Sequence, residues 1–178
     1  MSSVPLLENA DRGQQAQTER LDYSKLFTIF TDGSALSNAK DAPAGWACFF
    51  PWHKVLRSKS MTGTNNQAEL EAIRYALWWF SIKYISIPIP NNTVYVFSDS
   101  EYAINSVEGR YKGKLNTAKI KAIQMLIEEL KQKSRRVEFI HCRAHTGGTD
   151  FISINNAIVD SEARRQATTK QQREKCGA

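Results

Sequence analysis

Apolar residues recur at two spacings along this chain, every second position in some stretches and every third or fourth in others. The changes of spacing mark its elements. Leu26-Phe-Thr-Ile-Phe-Thr-Asp32 has the aromatic and β-branched content of a strand, and Gly33-Ser34 reads as the turn that stops it. Gly45 to Phe50 and Val55 to Met61 flank Pro51-Trp52-His53 and predict two more strands, in an antiparallel meander with the first. From Gln67 to Lys83 the pattern turns helical, with Leu70, Ile73, Leu77 and Phe80 on one face and Glu69 in the first turn. After a loop from Pro88 to Asn92, Thr93 to Ser98 reads as a buried strand ending at Asp99. A short helix through Tyr102 and Ile104, a basic link and a longer helix carrying Ile120, Ile123, Ile127 and Leu130 lead to a last strand, Val137 to Cys142. A final helix around Asp160 to Ala167 closes the series.

Three strands, a helix, a strand, helices, a strand and a helix predict an α/β fold. Its sheet is mixed, the later strands entering by crossover connections. At 178 residues with 42% apolar content, the chain supports one core. Residues 1–25 are polar without apolar periodicity and read as a flexible N-terminal arm, 26–168 as the domain, and 169–178 as a basic C-terminal tail. The first 25 residues lack the apolar run of a signal peptide, and no stretch is long enough to span a bilayer. Cys48, Cys142 and Cys176 are odd in number and scattered, which suits an intracellular, reducing setting rather than a disulfide framework.

The formal net charge is +6, which favours a polyanionic partner. Nine Lys or Arg residues against two Glu lie between Arg110 and Arg136, readable equally as a phosphate-contacting surface or as a solvated helix face. Asp32 and Asp99 are both expected at the carboxyl ends of strands, where open α/β sheets form their sites. If those strands are neighbours the two carboxylates repel, and a divalent cation is the usual remedy. Converging carboxylates without Cys or His suit a hard cation such as Mg²⁺. A zinc site from His141, Cys142 and His145 is disfavoured, because the first two alternate faces on a strand.

Thr31-Asp-Gly-Ser34, Thr64-Asn-Asn-Gln-Ala-Glu-Leu70, Ser98-Asp-Ser-Glu-Tyr102, His145 and Asn156-Ala-Ile-Val-Asp160 together resemble the successive motifs of type I ribonuclease H, over roughly residues 26–168. Each motif alone is weak; four in order on matching elements are specific. The resemblance implies a ribonuclease H-like five-stranded mixed sheet, order 3-2-1-4-5, with helices on both faces. It also implies endonucleolytic hydrolysis of the RNA strand of an RNA/DNA hybrid, leaving 5′-phosphate and 3′-hydroxyl ends. Asp32, Glu69, Asp99 and Asp160 take its four carboxylate positions, holding two Mg²⁺ ions for which Mn²⁺ can substitute, with Asp32 bridging both. His145 matches the histidine assigned to proton transfer or product release, and Asn38, Thr64, Asn65 and Asn66 match hybrid contacts. The implied partners are the hybrid and a polymerase or other replication protein, with the chain itself a monomer.

Two departures qualify the likeness. The segment from His145 to Asp160 is longer than in relatives, through Asp150-Phe-Ile-Ser-Ile-Asn155. Only Gly109-Arg-Tyr-Lys-Gly-Lys-Leu-Asn116 stands where cellular members often carry a long basic insertion, which leans toward the compact, retroviral-like form. Asn65-Asn66 reads alternatively as a helix N-cap. Tyr75, Trp78 and Trp79 read as full or partial core rather than as base-stacking groups. Glu71, Glu101, Asp41 and Asp150 read as solvated or idle acids. Two rival functions remain, a related-fold DNA nuclease, integrase or resolvase and a catalytically silent nucleic-acid-binding domain. Glu69 on the first helix disfavours the former, and the retained carboxylate set disfavours the latter.

Overall fold

The computed structural model describes residues 21–111, 114–143 and 148–176. Five strands, β1 (Thr28–Ala35), β2 (Pro43–Phe50), β3 (Val55–Thr62), β4 (Thr93–Ser98) and β5 (Arg136–His141), form one sheet in the order β3-β2-β1-β4-β5. The β3-β2-β1 half is antiparallel, while β4 and β5 join parallel to β1. Helices α1 (Asn65–Lys83), α2 (Glu101–Val107) and α3 (Thr117–Gln132) supply the crossovers, and α4 (Phe151–Cys176) follows β5. No described helix is long and apolar enough to cross a membrane.

Period-two alternation sorts the strand side chains into two cores. Phe27, Ile29, Val94 and Val96 pack with Leu70, Ile73, Leu77 and Phe80 of α1 and with Ile123 and Leu130 of α3. Phe30, Ala47, Tyr95 and Phe97 face Val159 and Ala163 of α4. Each large side chain so buried contributes about 1.5–3 kcal/mol. The sheet is thus covered on both faces, as its parallel half requires. Trp46 and Tyr75 rings lie 4.5 Å apart, and Arg57 covers the ring of the half-buried Trp79 at 4.4 Å, so these aromatics are packing groups; Trp78, 39% exposed, packs at their edge with its ring 5.2 Å from that of Tyr75.

Several local expectations are corrected. Gly33 and Ser34 do not end β1; they continue it to Ala35, paired with Trp46 and Gly45. Glycine is needed at 33 for proximity, since a Cβ there would collide with the backbone of Ala68 and Glu69 on α1. The cap of α1 is Thr64, not Asn65 or Asn66: its hydroxyl accepts from the Gln67 N–H, and the Gln67 side chain accepts from the Thr64 N–H. Residues 151–155 belong to α4, not to a loop. Asp150, far from idle, accepts from the N–H groups of Ile152 and Ser153 and so satisfies free donors at the helix start. At its other end α4 continues through residues 169–176, beyond the Ala167 at which the apolar pattern stops. Glu71 is not solvated: it pairs with Arg74 on its own helix (2.6 Å) and joins α1 to α3 through Lys119 (2.7 Å).

Candidate active site

β1 and β4 are parallel neighbours, and Phe30 pairs with Phe97. Two residues further along each chain, Asp32 and Asp99 therefore emerge on the same face at the same end of the sheet. The Thr31 hydroxyl donates to the Phe97 carbonyl (3.0 Å), tying the two strands beside this point. On the far side of β1, the close approach at Gly33 sets the first turn of α1 against the strand and delivers Glu69. Carboxylate oxygens of Asp32, Glu69 and Asp99 lie within 4.8 Å of one another. Asp32 and Glu69 are each only 4% exposed. Asp160, on α4, lines the same cleft but stands outside that tight trio. The cleft is about 280 Å³ and is completed by Gly33, Ser34, Asn65, Ser100 and Arg164.

The electrostatics are severe. Burial pushes the Asp32 carboxyl well above its ordinary value, and the charges of Asp99 and Asp160 push it further. Glu69 is raised for the same reasons, burial first, then Asp32 and Asp99. Its Oε2 is buried without a hydrogen-bond partner. A carboxylate oxygen in that state normally faces a cation or holds a proton. An all-oxygen set with an orphaned buried oxygen fits a hard divalent cation, and among the described residues it is the one such acidic trio.

Asn38, Thr64, Asn65 and Asn66 also come together. They line a groove of about 440 Å³ that shares Asn65 with the carboxylate cleft. The Asn65 side-chain oxygen accepts from the Ala35 N–H (3.1 Å), fixing the start of α1 to the end of β1. Sequence reasoning missed Leu115 and Asn116, which arrive from the separate connection before α3, and also Lys40 and Gln67, close in the chain to Asn38 and Asn66. It also missed Arg164, although its position four residues beyond Asp160 on a helix was a usable signal. His145 lies outside the described residues.

The basic stretch resolves into distinct roles. Arg135 is buried and donates to the carbonyls of Ile85 and Ile87 and to Asn92, Lys119 is paired with Glu71, and Arg110 is paired with Glu108. Exposed cations remain at Lys114, Lys121, Lys131, Lys133 and Arg136. His141 is exposed, its Nε2–H donating to the Asp99 carbonyl (3.2 Å), while the neighbouring Cys142 is buried and donates to Asn156. Burial pushes that thiol up to about 12, and all three cysteines are free.

A mixed sheet in this order, with carboxylates gathered where β1 meets β4, defines a ribonuclease H-type fold. The sequence model of the RNase H family matches residues 24–168. The ribonuclease H of Neorickettsia sennetsu is 26% identical over 149 residues, covering 80% of this chain and 93% of that protein. LC11-RNase H1, solved in complex with an RNA/DNA hybrid, is 25% identical at a TM-score of 0.60, covering 80% of this chain and 97% of that one. The protease–reverse transcriptase of prototype foamy virus shares the fold, at a TM-score of 0.60 and 21% identity. The match covers 85% of this chain and 22% of the viral one. The chain belongs to the RNase H family, and its class is that of a metal-dependent hydrolase, ribonuclease H.

Proposed function

We propose that this chain is an endoribonuclease that hydrolyses the RNA strand of RNA/DNA hybrids, with Asp32, Glu69, Asp99 and Asp160 as the carboxylates that hold two Mg²⁺ ions. The observation that carries the reading is the convergence of Asp32, Glu69 and Asp99 around an unpartnered, buried Glu69 oxygen. Bound there, the ions would supply an activated water and a sink for charge on the leaving oxygen, and Mn²⁺ can replace Mg²⁺. The water oxygen bonds to phosphorus while the bond from phosphorus to the 3′ oxygen breaks, leaving 5′-phosphate and 3′-hydroxyl ends. Asp32 would contribute to holding both ions, and the pairing of β1 with β4 keeps Asp32 and Asp99 side by side.

Substrate choice rests on the adjoining groove. The side-chain amides of Asn38, Asn65 and Asn66 and the Thr64 hydroxyl can donate to and accept from ribose 2′-hydroxyls, the groups that separate RNA from DNA. Lys40 adds a cation beside them for a phosphate. His145, three residues beyond Cys142, is assigned proton transfer or product release. The hybrid held by LC11-RNase H1 supports this substrate, and the fold's occurrence within a viral reverse transcriptase supports a polymerase as functional partner.

The test incubates labelled RNA/DNA hybrid, double-stranded RNA and double-stranded DNA with the chain in Mg²⁺ or Mn²⁺, with a chelator control. Cleavage confined to the RNA of the hybrid and lost in chelator is expected; equal cutting of DNA overturns the substrate assignment. Asp99→Asn preserves shape while removing an anionic oxygen. It is expected to keep the circular dichroism spectrum and lose turnover, and undiminished cleavage would strike Asp99 from the set.

A further inference from the structure

Helix α4 brings Asp160 to the cleft, where its Oδ1 accepts from the Nε of Arg164 (3.0 Å), yet the same helix is also bonded to the far edge of the sheet. On the face that α4 covers, strand register lines up Asp32 of β1, Ala47 of β2 and Ser58 of β3 in one row, and Ser34, Gly45 and Ser60 in the next. Two strand spacings, about 10 Å, separate the Asp32 end of the row from the Ser58 end. At that far end the Ser58 hydroxyl donates to the Glu162 carboxylate and accepts from the Gln166 side-chain amide (3.1 Å), which also donates to Glu162 (2.9 Å). The Ser60 hydroxyl is within donating distance of the Gln166 backbone and side-chain oxygens (2.9 and 2.8 Å). Between these bonds and the cleft, the backbone of α4 rests on β2 at Gly45, where a Cβ would strike the Ala163 carbonyl and the Ala167 nitrogen. Asp160 and Glu162 are two residues apart, about 200° around the helix, so one serves the cleft while the other serves β3.

We propose that Ser58, Ser60, Glu162 and Gln166 form a clamp of positioning residues that holds α4 at the rotation from which Asp160 faces the cleft, so that an edge strand with no residue in the cleft sets its affinity for metal. The inference rests on the reading of Asp160 as a metal ligand. Where α4 crosses β2, the facing residues are Gly45, Ala47, Ala163 and Ala167, whose side chains are too small to interlock. Such a contact permits close approach but resists rolling of the helix weakly, and directional hydrogen bonds at its far side supply that resistance. Released from the clamp, α4 presents Asp160 to the cleft only part of the time, and the apparent affinity falls with that fraction. The fall is bounded by the strength of the clamp, roughly two- to tenfold for hydrogen bonds that are half-buried.

Titration of Mn²⁺ into the full chain without nucleic acid, followed by electron paramagnetic resonance, tests the clamp, with urea denaturation of the same variants alongside. Ser58→Ala combined with Ser60→Ala removes both hydroxyls without altering any charge, and should weaken Mn²⁺ binding roughly two- to tenfold. Ser58→Thr combined with Ser60→Thr keeps the hydroxyls and should restore the wild-type affinity. Gln124→Ala removes a bond from α3 to the Val107 carbonyl on the opposite face of the sheet, and should lower the urea midpoint while leaving Mn²⁺ affinity unchanged. In an Asp160→Asn background, itself expected to bind Mn²⁺ less tightly, the paired alanines should have no further effect. The clamp is overturned by alanines that spare Mn²⁺ affinity, whatever they do to the urea midpoint. It is equally overturned by threonines that lose as much affinity as the alanines, or by an alanine effect that persists undiminished beside Asp160→Asn. Mn²⁺ affinity untouched by Asp160→Asn alone would instead remove the reading of Asp160 as a ligand, and the purpose of the clamp with it.

Discussion

Asp32 and Glu69 carry opposed demands, since folding buries them and thereby opposes their ionisation. Their raised carboxyls hold a proton more tightly in the folded chain than in the unfolded one. In metal-free protein the resulting stability is fully present below the ordinary values of 3.8 and 4.5, and it is lost as the pH rises through the higher folded values. Glu162 works the other way. Arg165 first, then Gln166 and Ser58, hold its carboxyl down to about 2, so its contribution is present above 4.5 and is lost as the pH falls through about 2. Above about pH 5 only the first trend operates, and thermal midpoints measured in chelator should fall from there toward pH 8. Asp32→Asn should flatten that slope and raise the neutral-pH midpoint by about 2–4 °C. A flat wild-type profile would mean that the cluster is not strained.

Between elements, two glycines set how closely helices meet the sheet. Gly33 lets α1 lie directly on β1, and Gly45 does the same for α4 on β2, where a Cβ would strike the backbone of Ala163 and Ala167. These contacts act at backbone atoms, which cannot rotate aside as a side chain tip can. Gly33→Ala is expected to cost about 1–3 kcal/mol by overpacking. It should also weaken Mn²⁺ binding, because the displaced turn is the one that carries Glu69. Loss of stability in urea denaturation with unchanged metal affinity would separate the two roles. The turn chemistry suggested by Gly33-Ser34 was a misreading with a physical cause: a glycine needed for close approach and one needed for a turn look alike in one dimension. The same limit concealed Glu71, whose partner Lys119 is on another helix.

For the whole molecule, the cluster makes stability a function of cations. Occupancy of the cleft relieves the repulsion only in the folded state, so divalent metal should raise the thermal midpoint at neutral pH and chelator should reverse it. The gain is about 2.7 kcal/mol at a metal concentration one hundred times the dissociation constant. A midpoint indifferent to Mg²⁺ and Mn²⁺ would contradict that linkage. The order of strands and helices and the buried faces of β4 and α1 were legible in one dimension. Alternation and helical spacing report which face of an element is buried, and motif residues keep their order along the chain. Only the folded molecule showed that Asp160 stands apart with Arg164, that Lys40 and Asn116 join Asn65 in one groove, and that Arg135 is a buried pin instead of a surface cation. Such relations depend on strand register and on the distance between packed elements, which arise from contacts between residues far apart in sequence and leave no periodic trace along it.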